Sequence, residues 1–260
     1  MVAVGWMTHE EYLAVLDAQV RRFAEVVAAG DPTAEVESCP GWSLADLGRH
    51  QGTVHRWAFQ AVRTRATDRI GWTGLPDAES PDDPAGQAEW LLRGAAELAA
   101  LLRERGGEEP VWSWGVEQHT GFWARRMAHE TLIHRIDAET AADVPVAPVD
   151  PALAADNIDE LLHNAGAERS RAHPSRELLR GEGDTLHLHC TDVHGEWLLR
   201  RTPEGFSCEE GHAKGDAAVR GPASELMLML NRRLPDGRNE LRIHGDKAVL
   251  GLWLEGLTFD

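Results

Sequence analysis

Met127-Ala-His-Glu-Thr-Leu-Ile-His-Arg-Ile-Asp-Ala-Glu-Thr-Ala141 sets Glu130 and His134 one helical turn apart. Side chains four residues apart project side by side from one helix face. Advancing about 100° per residue from Trp123 gathers Trp123, Met127, Glu130, His134, Ala138 and Ala141 into one narrow arc. Two ionisable groups therefore lie inside an apolar stripe. A buried carboxylate without a partner is costly enough that it is normally paired, neutralised or bound to a metal. The stretch predicts a helix whose Glu/His pair meets a further residue from elsewhere in the chain.

Upstream, three more helices are predicted. Thr8-His-Glu-Glu11 has capping-box spacing and precedes an amphipathic run that closes at Gly30. Ser43 caps a second helix, with Asp46 at its third position. On that helix Leu47, His50, Val54, Trp57, Ala58 and Ala61 share the apolar side, whereas Arg49, Arg56, Gln60 and Arg63 share the polar one. Residues 66–85 read as a long Gly/Pro/Asp loop, Gly86 to Arg105 as the third helix, and His119 to Ala142 as the fourth. Prolines 145, 148 and 151 break any continuation, so the domain boundary is placed there, with residues 1–148 on one side and 149–260 on the other. Four helices before such a linker predict a four-helix bundle.

Beyond the linker a helix from Ala152 to Glu168 is predicted, then two period-2 runs, Thr185–Cys190 and Glu196–Arg200, joined by a turn. Gly205–Cys208, Ala217–Arg220 and Glu240–His244 read as further strands, and Pro222–Arg232 and Lys247–Glu255 as helices. The whole chain is thus expected to be α+β, with an N-terminal helical bundle and a small C-terminal α+β domain.

Composition narrows the function. Among 260 residues, 43 are acidic and 26 basic, giving a formal charge of −17. Nucleic acids and anionic membrane surfaces are disfavoured partners, because both are bound through clustered Lys and Arg. No apolar run approaches the roughly 20 residues of a membrane span, and Thr8-His-Glu-Glu11 stands where a signal peptide would be apolar. Cys39, Cys190 and Cys208 are widely spaced and odd in number, as expected in a reducing compartment. These features predict a cytoplasmic protein. Ten tryptophans against one tyrosine supply core and suit a pocket for an organic ligand.

The candidate partner for Glu130 and His134 is His50, which lies on the apolar arc of the second helix. Two imidazoles and a carboxylate are ligands that Zn, Fe or Ni accept, and three protein ligands leave coordination positions open. The same residues also fit a hydrogen-bonded pair without metal. Asp137 is placed either to hydrogen-bond a ligand imidazole or to pair with an arginine. His129 points away from Glu130 and is expected at the surface, while His55 lies at the arc's edge. His187 and His189 share a strand face and are expected to be solvated rather than to chelate at i, i+2. Cys39 reads as a packed cysteine, with a nucleophilic role requiring a lowered pKa. No phosphate-binding loop, dinucleotide fingerprint or Gly-x-Ser-x-Gly motif is present.

Two segments carry a family resemblance: Cys39-Pro-Gly-Trp-Ser-Leu-Ala-Asp-Leu-Gly-Arg-His50, continuing to Ala58, and Arg126 to Glu139. Together they resemble the mycothiol-dependent maleylpyruvate isomerase family, with its DinB-like four-helix bundle. Gly221 to Arg233 and Ile243-His-Gly-Asp246 resemble that family's C-terminal domain. The resemblance implies a divalent metal, usually zinc, held by His50, Glu130 and His134, and mycothiol as thiol cosubstrate. In such enzymes the thiolate adds to an activated double bond, rotation follows, and elimination releases the isomer; related enzymes transfer the thiol to other small electrophiles. The resemblance also implies a C-terminal arginine that holds a substrate carboxylate. Arg232 is the nearest match here, in Leu230-Asn231-Arg232-Arg233, where the family commonly has Trp-Gly-Arg and this chain departs at Asn231. A non-catalytic metal-binding or sensing protein on the same scaffold is the alternative.

Overall fold

In a computed structural model, residues 7–167, 174–235, 237 and 239–258 are described. They form two compact units, one of residues 7–147 and one beginning at Pro148.

The first unit holds α1 (His9–Ala29), α2 (Leu44–Arg63), α3 (Pro84–Arg105) and α4 (Thr120–Ala141). Reciprocal capping boxes start α1 and α2: Thr8 with Glu11, and Ser43 with Asp46. The third helix begins two residues earlier than the sequence suggests, because Asp83 caps it and Pro84 occupies its first turn, where a missing N–H costs nothing. Each of α1 and α2 packs against both α3 and α4, enclosing a core of Leu13, Leu16, Phe23, Leu47, Trp90, Leu98, Leu102 and Trp123. At Gly52 an added Cβ would lie 1.8 Å from the Trp90 ring, so the tryptophan rests directly on the α2 backbone.

The sequence reading of α4 as a one-sided stripe is corrected. The helix is surrounded, with residues on every face buried, as a central helix requires. Its polar residues are therefore paired internally. Arg135 donates to Glu139 at 2.5 Å and to the Ala147 carbonyl at 2.9 Å, and Arg22 donates to the other Glu139 oxygen at 2.7 Å. His129, expected at the surface, is fully buried and meets the Tyr12 ring edge-on at 6.1 Å. Arg56 is a second correction: it lies beneath the surface rather than on a polar face. Its guanidinium sits 3.9 Å above the Trp90 ring and donates to Asp77 and to the Gly52 and Trp90 carbonyls.

The second unit holds α5 (Pro151–Gly166), a 3-10 turn (Pro174–Leu179), β1 (Thr185–Cys190), β2 (Glu196–Thr202), β3 (Gly205–Glu210), β4 (Ala217–Gly221), α6 (Ala223–Leu230), β5 (Arg242–Gly245) and α7 (Lys247–Gly256). Position 168, the expected end of α5, lies outside the described residues. The strands form one mixed sheet in the order β3-β2-β1-β4-β5. Among the described strands β1 and β4 run parallel, and the pairs β1–β2, β2–β3 and β4–β5 are antiparallel. Leu186, Leu188, Trp197, Leu199, Ala217 and Val219 are buried on one sheet face, while α6 and α7 both pack against β1 and β4. Cross-strand partners share a face, so His187 and His189 lie on the opposite one, beside Leu198 and Glu196.

The candidate metal-ligand cluster

His50 comes from the second turn of α2, and Glu130 and His134 from the middle of α4. One Glu130 oxygen lies 3.5 Å from His50 Nε2 and 3.4 Å from His134 Nε2. One ligand atom from each of the three falls within 4.8 Å of the others. The imidazoles stand nearly perpendicular, with ring centroids 5.1 Å apart, and Trp42 flanks His50 at 4.8 Å. The His50 side chain is 33 % exposed against 11 % for His134, so solvent reaches the cluster from the α2 side.

The supporting contacts decide which atoms face inward. Asp137 accepts from His134 Nδ1 at 2.9 Å, which leaves Nε2 on the Glu130 side. Ser38 donates to the other Asp137 oxygen at 2.6 Å, tying the loop before α2 to α4. Asp137 therefore orients an imidazole, one of the two roles the sequence allowed it. Cys39 Sγ lies 4.0 Å from Asp137, beside the cluster and partly buried. Arg126 donates to the outer Glu130 oxygen at 2.7 Å, and its guanidinium lies 6.0 Å from the Trp114 ring centre. Sequence reading missed Arg126, although its i, i+4 spacing to Glu130 was a usable signal.

These contacts also set protonation. Burial acts to raise the Glu130 carboxyl pKa, but Arg126 and the two imidazoles prevail and hold it well below the usual range. Burial acts to lower that of His134, but Asp137 and Glu130 prevail and raise it to about 9. His55 stands apart from the cluster: it is fully buried, with Gln51 and Thr131 at 2.8 and 3.0 Å from its Nε2. Burial, with Arg56 alongside, pushes its pKa down to about 3.

Arg232 directly follows the C-cap of α6. Its N–H donates to the Met229 carbonyl and that of Arg233 to Leu228, at 3.0 and 2.7 Å. This is the Schellman pattern, whose left-handed position glycine normally occupies; Arg232 holds it at φ 60°.

The solvated-face expectation for His187 and His189 is corrected. His187 is 6 % exposed, and both imidazoles approach Glu196. His212, from the segment after β3, reaches the same carboxylate.

A helical bundle with a His–Glu–His cluster, joined to an α+β unit with a mixed five-stranded sheet, defines a class of two-unit α+β protein. Residues 13–139 match the mycothiol maleylpyruvate isomerase N-terminal domain, and residues 152–252 match the MDMPI C-terminal domain. The chain belongs to the mycothiol-dependent maleylpyruvate isomerase family. Its fold is similar to the crystal structure of the mycothiol-dependent maleylpyruvate isomerase, with a TM-score of 0.61, 14 % identity, and 94 % of this chain and 95 % of that one covered. A histidine-to-alanine mutant of that enzyme matches with a TM-score of 0.60, 13 % identity and the same coverage. No curated protein matches the sequence. Among the described residues no helix is long and apolar enough to cross a membrane.

Proposed function

We propose that this chain is a thiol-dependent enzyme whose His50, Glu130 and His134 hold a divalent metal, with mycothiol as cosubstrate and a small electrophile as substrate. Zinc suits the donor set best, with nickel and iron as alternatives. The observation that carries the reading is the orientation of the three donors. Asp137 engages one His134 nitrogen and Arg126 one Glu130 oxygen, so the remaining nitrogen and oxygen face each other and His50 Nε2. Carboxylate support of a ligating histidine is the usual second layer of a metal site. Family membership supports the thiol.

A bound divalent metal would supply Lewis acidity, lowering the pKa of a coordinated thiol toward neutrality. The chain's own contribution is positional. His134 is locked by Asp137, which is itself held by Ser38. Arg126 balances the Glu130 charge. The partial exposure of His50 gives small molecules an approach. For the substrate carboxylate we assign Arg233 rather than Arg232. The glycine of the family's Trp-Gly-Arg pattern belongs at the left-handed position, which Arg232 fills, so the arginine that follows it falls on Arg233. Isomerisation is the family reaction; transfer of the thiol to another electrophile uses the same groups.

Metal analysis of the purified protein tests the centre. His134→Ala should lose one equivalent and thiol-dependent turnover should fall at least about a thousandfold, the scale of an essential catalytic element. Retention of that equivalent would defeat the metal assignment. In the cobalt-loaded protein, added mycothiol should change the visible spectrum; an unchanged spectrum would defeat the thiol assignment. Mass spectrometry of mycothiol adducts across an electrophile panel then identifies the substrate class.

A further inference from the structure

The second unit gathers His187, His189, Glu196 and His212 around one point. Strand pairing brings them there. His187 and His189 lie on one face of β1, the β1–β2 register sets Glu196 opposite His189, and the Gly211 N–H donates to the Glu196 carbonyl, carrying the chain after β3 to the same place. A single Glu196 oxygen lies 3.2 Å from His187 Nε2, 2.5 Å from His189 Nδ1 and 2.6 Å from His212 Nδ1. The three rings do not stack. Their planes cross at 67°, 89° and 86°, with centroids 5.5 to 6.3 Å apart, so they fan around the oxygen.

His187 is the informative member. Its side chain is 8 % exposed, and its Nε2 is buried without a hydrogen bond despite the nearby carboxylate. An unsatisfied buried polar atom is costly, and here it faces a carboxylate and two other imidazoles. The four donor atoms fall within 4.8 Å of one another, a spread that modest rotamer adjustment brings to tetrahedral coordination at about 2.0–2.2 Å.

We propose that His187, His189, Glu196 and His212 form a second metal site, specific for a divalent transition ion of the zinc type. Three imidazoles and one carboxylate favour Zn, Cu or Ni over Mg or Ca, which prefer all-oxygen shells. Four protein ligands fill a tetrahedral shell, so the ion clamps the sheet instead of binding substrate. It would fasten the chain after β3 to the β1–β2 hairpin. The site is independent of His50, Glu130 and His134.

Full-length wild type, His134→Ala and His189→Ala/His212→Ala, stripped with chelator and dialysed against micromolar zinc, provide the test. The His212 side chain is 81 % exposed, so its replacement removes little packing, and circular dichroism checks the fold of each variant. Wild type should hold two equivalents and each variant one. The His189/His212 variant should bind its missing equivalent at least about 10-fold more weakly, the lower end for loss of a metal-supporting group. In the His134→Ala background, zinc should raise the melting temperature, and adding the His189/His212 pair should abolish that rise. A metal count unchanged by replacing His189 and His212, or equal weak binding by every variant, overturns the second site whatever happens at the bundle. Loss of an equivalent on replacing His189 and His212 but none on replacing His134 would uphold the sheet site and remove the bundle one.

Discussion

The bundle and the sheet each bring histidines and one glutamate to a point, by opposite means. In the bundle, three donors come from the interiors of two packed helices, and a further layer of Asp137, Ser38 and Arg126 fixes their orientation. In the sheet, cross-strand register does the gathering, and the fourth donor hangs from a chain segment with its side chain largely in water. Similar donors thus acquire different roles from their support. With metal bound as proposed, the supported, three-donor set would leave room for substrate, whereas the four-donor set would close on its ion.

Loss of His134, already described, is the largest expected break in this comparison. Next comes acid, which should strike the bundle through His55. Its folded pKa of about 3 lies below the ordinary 6.5, so between those values the unfolded chain binds the proton more readily. Stability is then full above pH 6.5 and lost as pH falls toward 3. Roughly 3 kcal/mol should be lost by pH 4, seen as a steeper pH dependence of urea unfolding in wild type than in His55→Gln. Equal slopes would show that His55 is not held neutral.

Asp137→Asn probes the support directly. It should weaken zinc binding at the bundle by about 10- to 100-fold in a competitive chelator titration, while the sheet equivalent stays in place. Unchanged affinity would reduce Asp137 to packing. The smallest effect is expected at the end of α6. Arg232→Gly removes a left-handed non-glycine residue and should stabilise the protein by about 1 kcal/mol with no change in KM. Arg233→Ala should instead raise KM for a carboxylate substrate. A rise in KM for Arg232→Gly alone would return the role to Arg232.

Helix starts were legible because caps are local: Thr8 with Glu11 and Ser43 with Asp46 each span only four residues of sequence. The faces of a helix are not local. A wheel assigns one buried side, which suffices for His50 on α2 but misplaces Arg56 there and His129 on α4, where neighbours lie all around. Period-2 alternation put His187 and His189 on one face correctly. It could not reveal that Glu196 and His212 share their neighbourhood, since that depends on the β1–β2 register and on where the chain turns after β3. The left-handed turn at Arg232 was equally hidden, because arginine gives no sign of a conformation that glycine would announce.

The enclosure of α4 bears on how the first unit folds. Arg125, His129, His134, Arg135, Asp137 and Glu139 are all buried on this one helix. A lone segment of this composition would keep those groups hydrated and gain little from becoming helical. Order in α4 therefore arrives together with α1, α2 and α3, and its amides should exchange with solvent only when the whole unit opens. Glu130 and His134 ride on that helix, so the cluster assembles or dissolves in a single cooperative event.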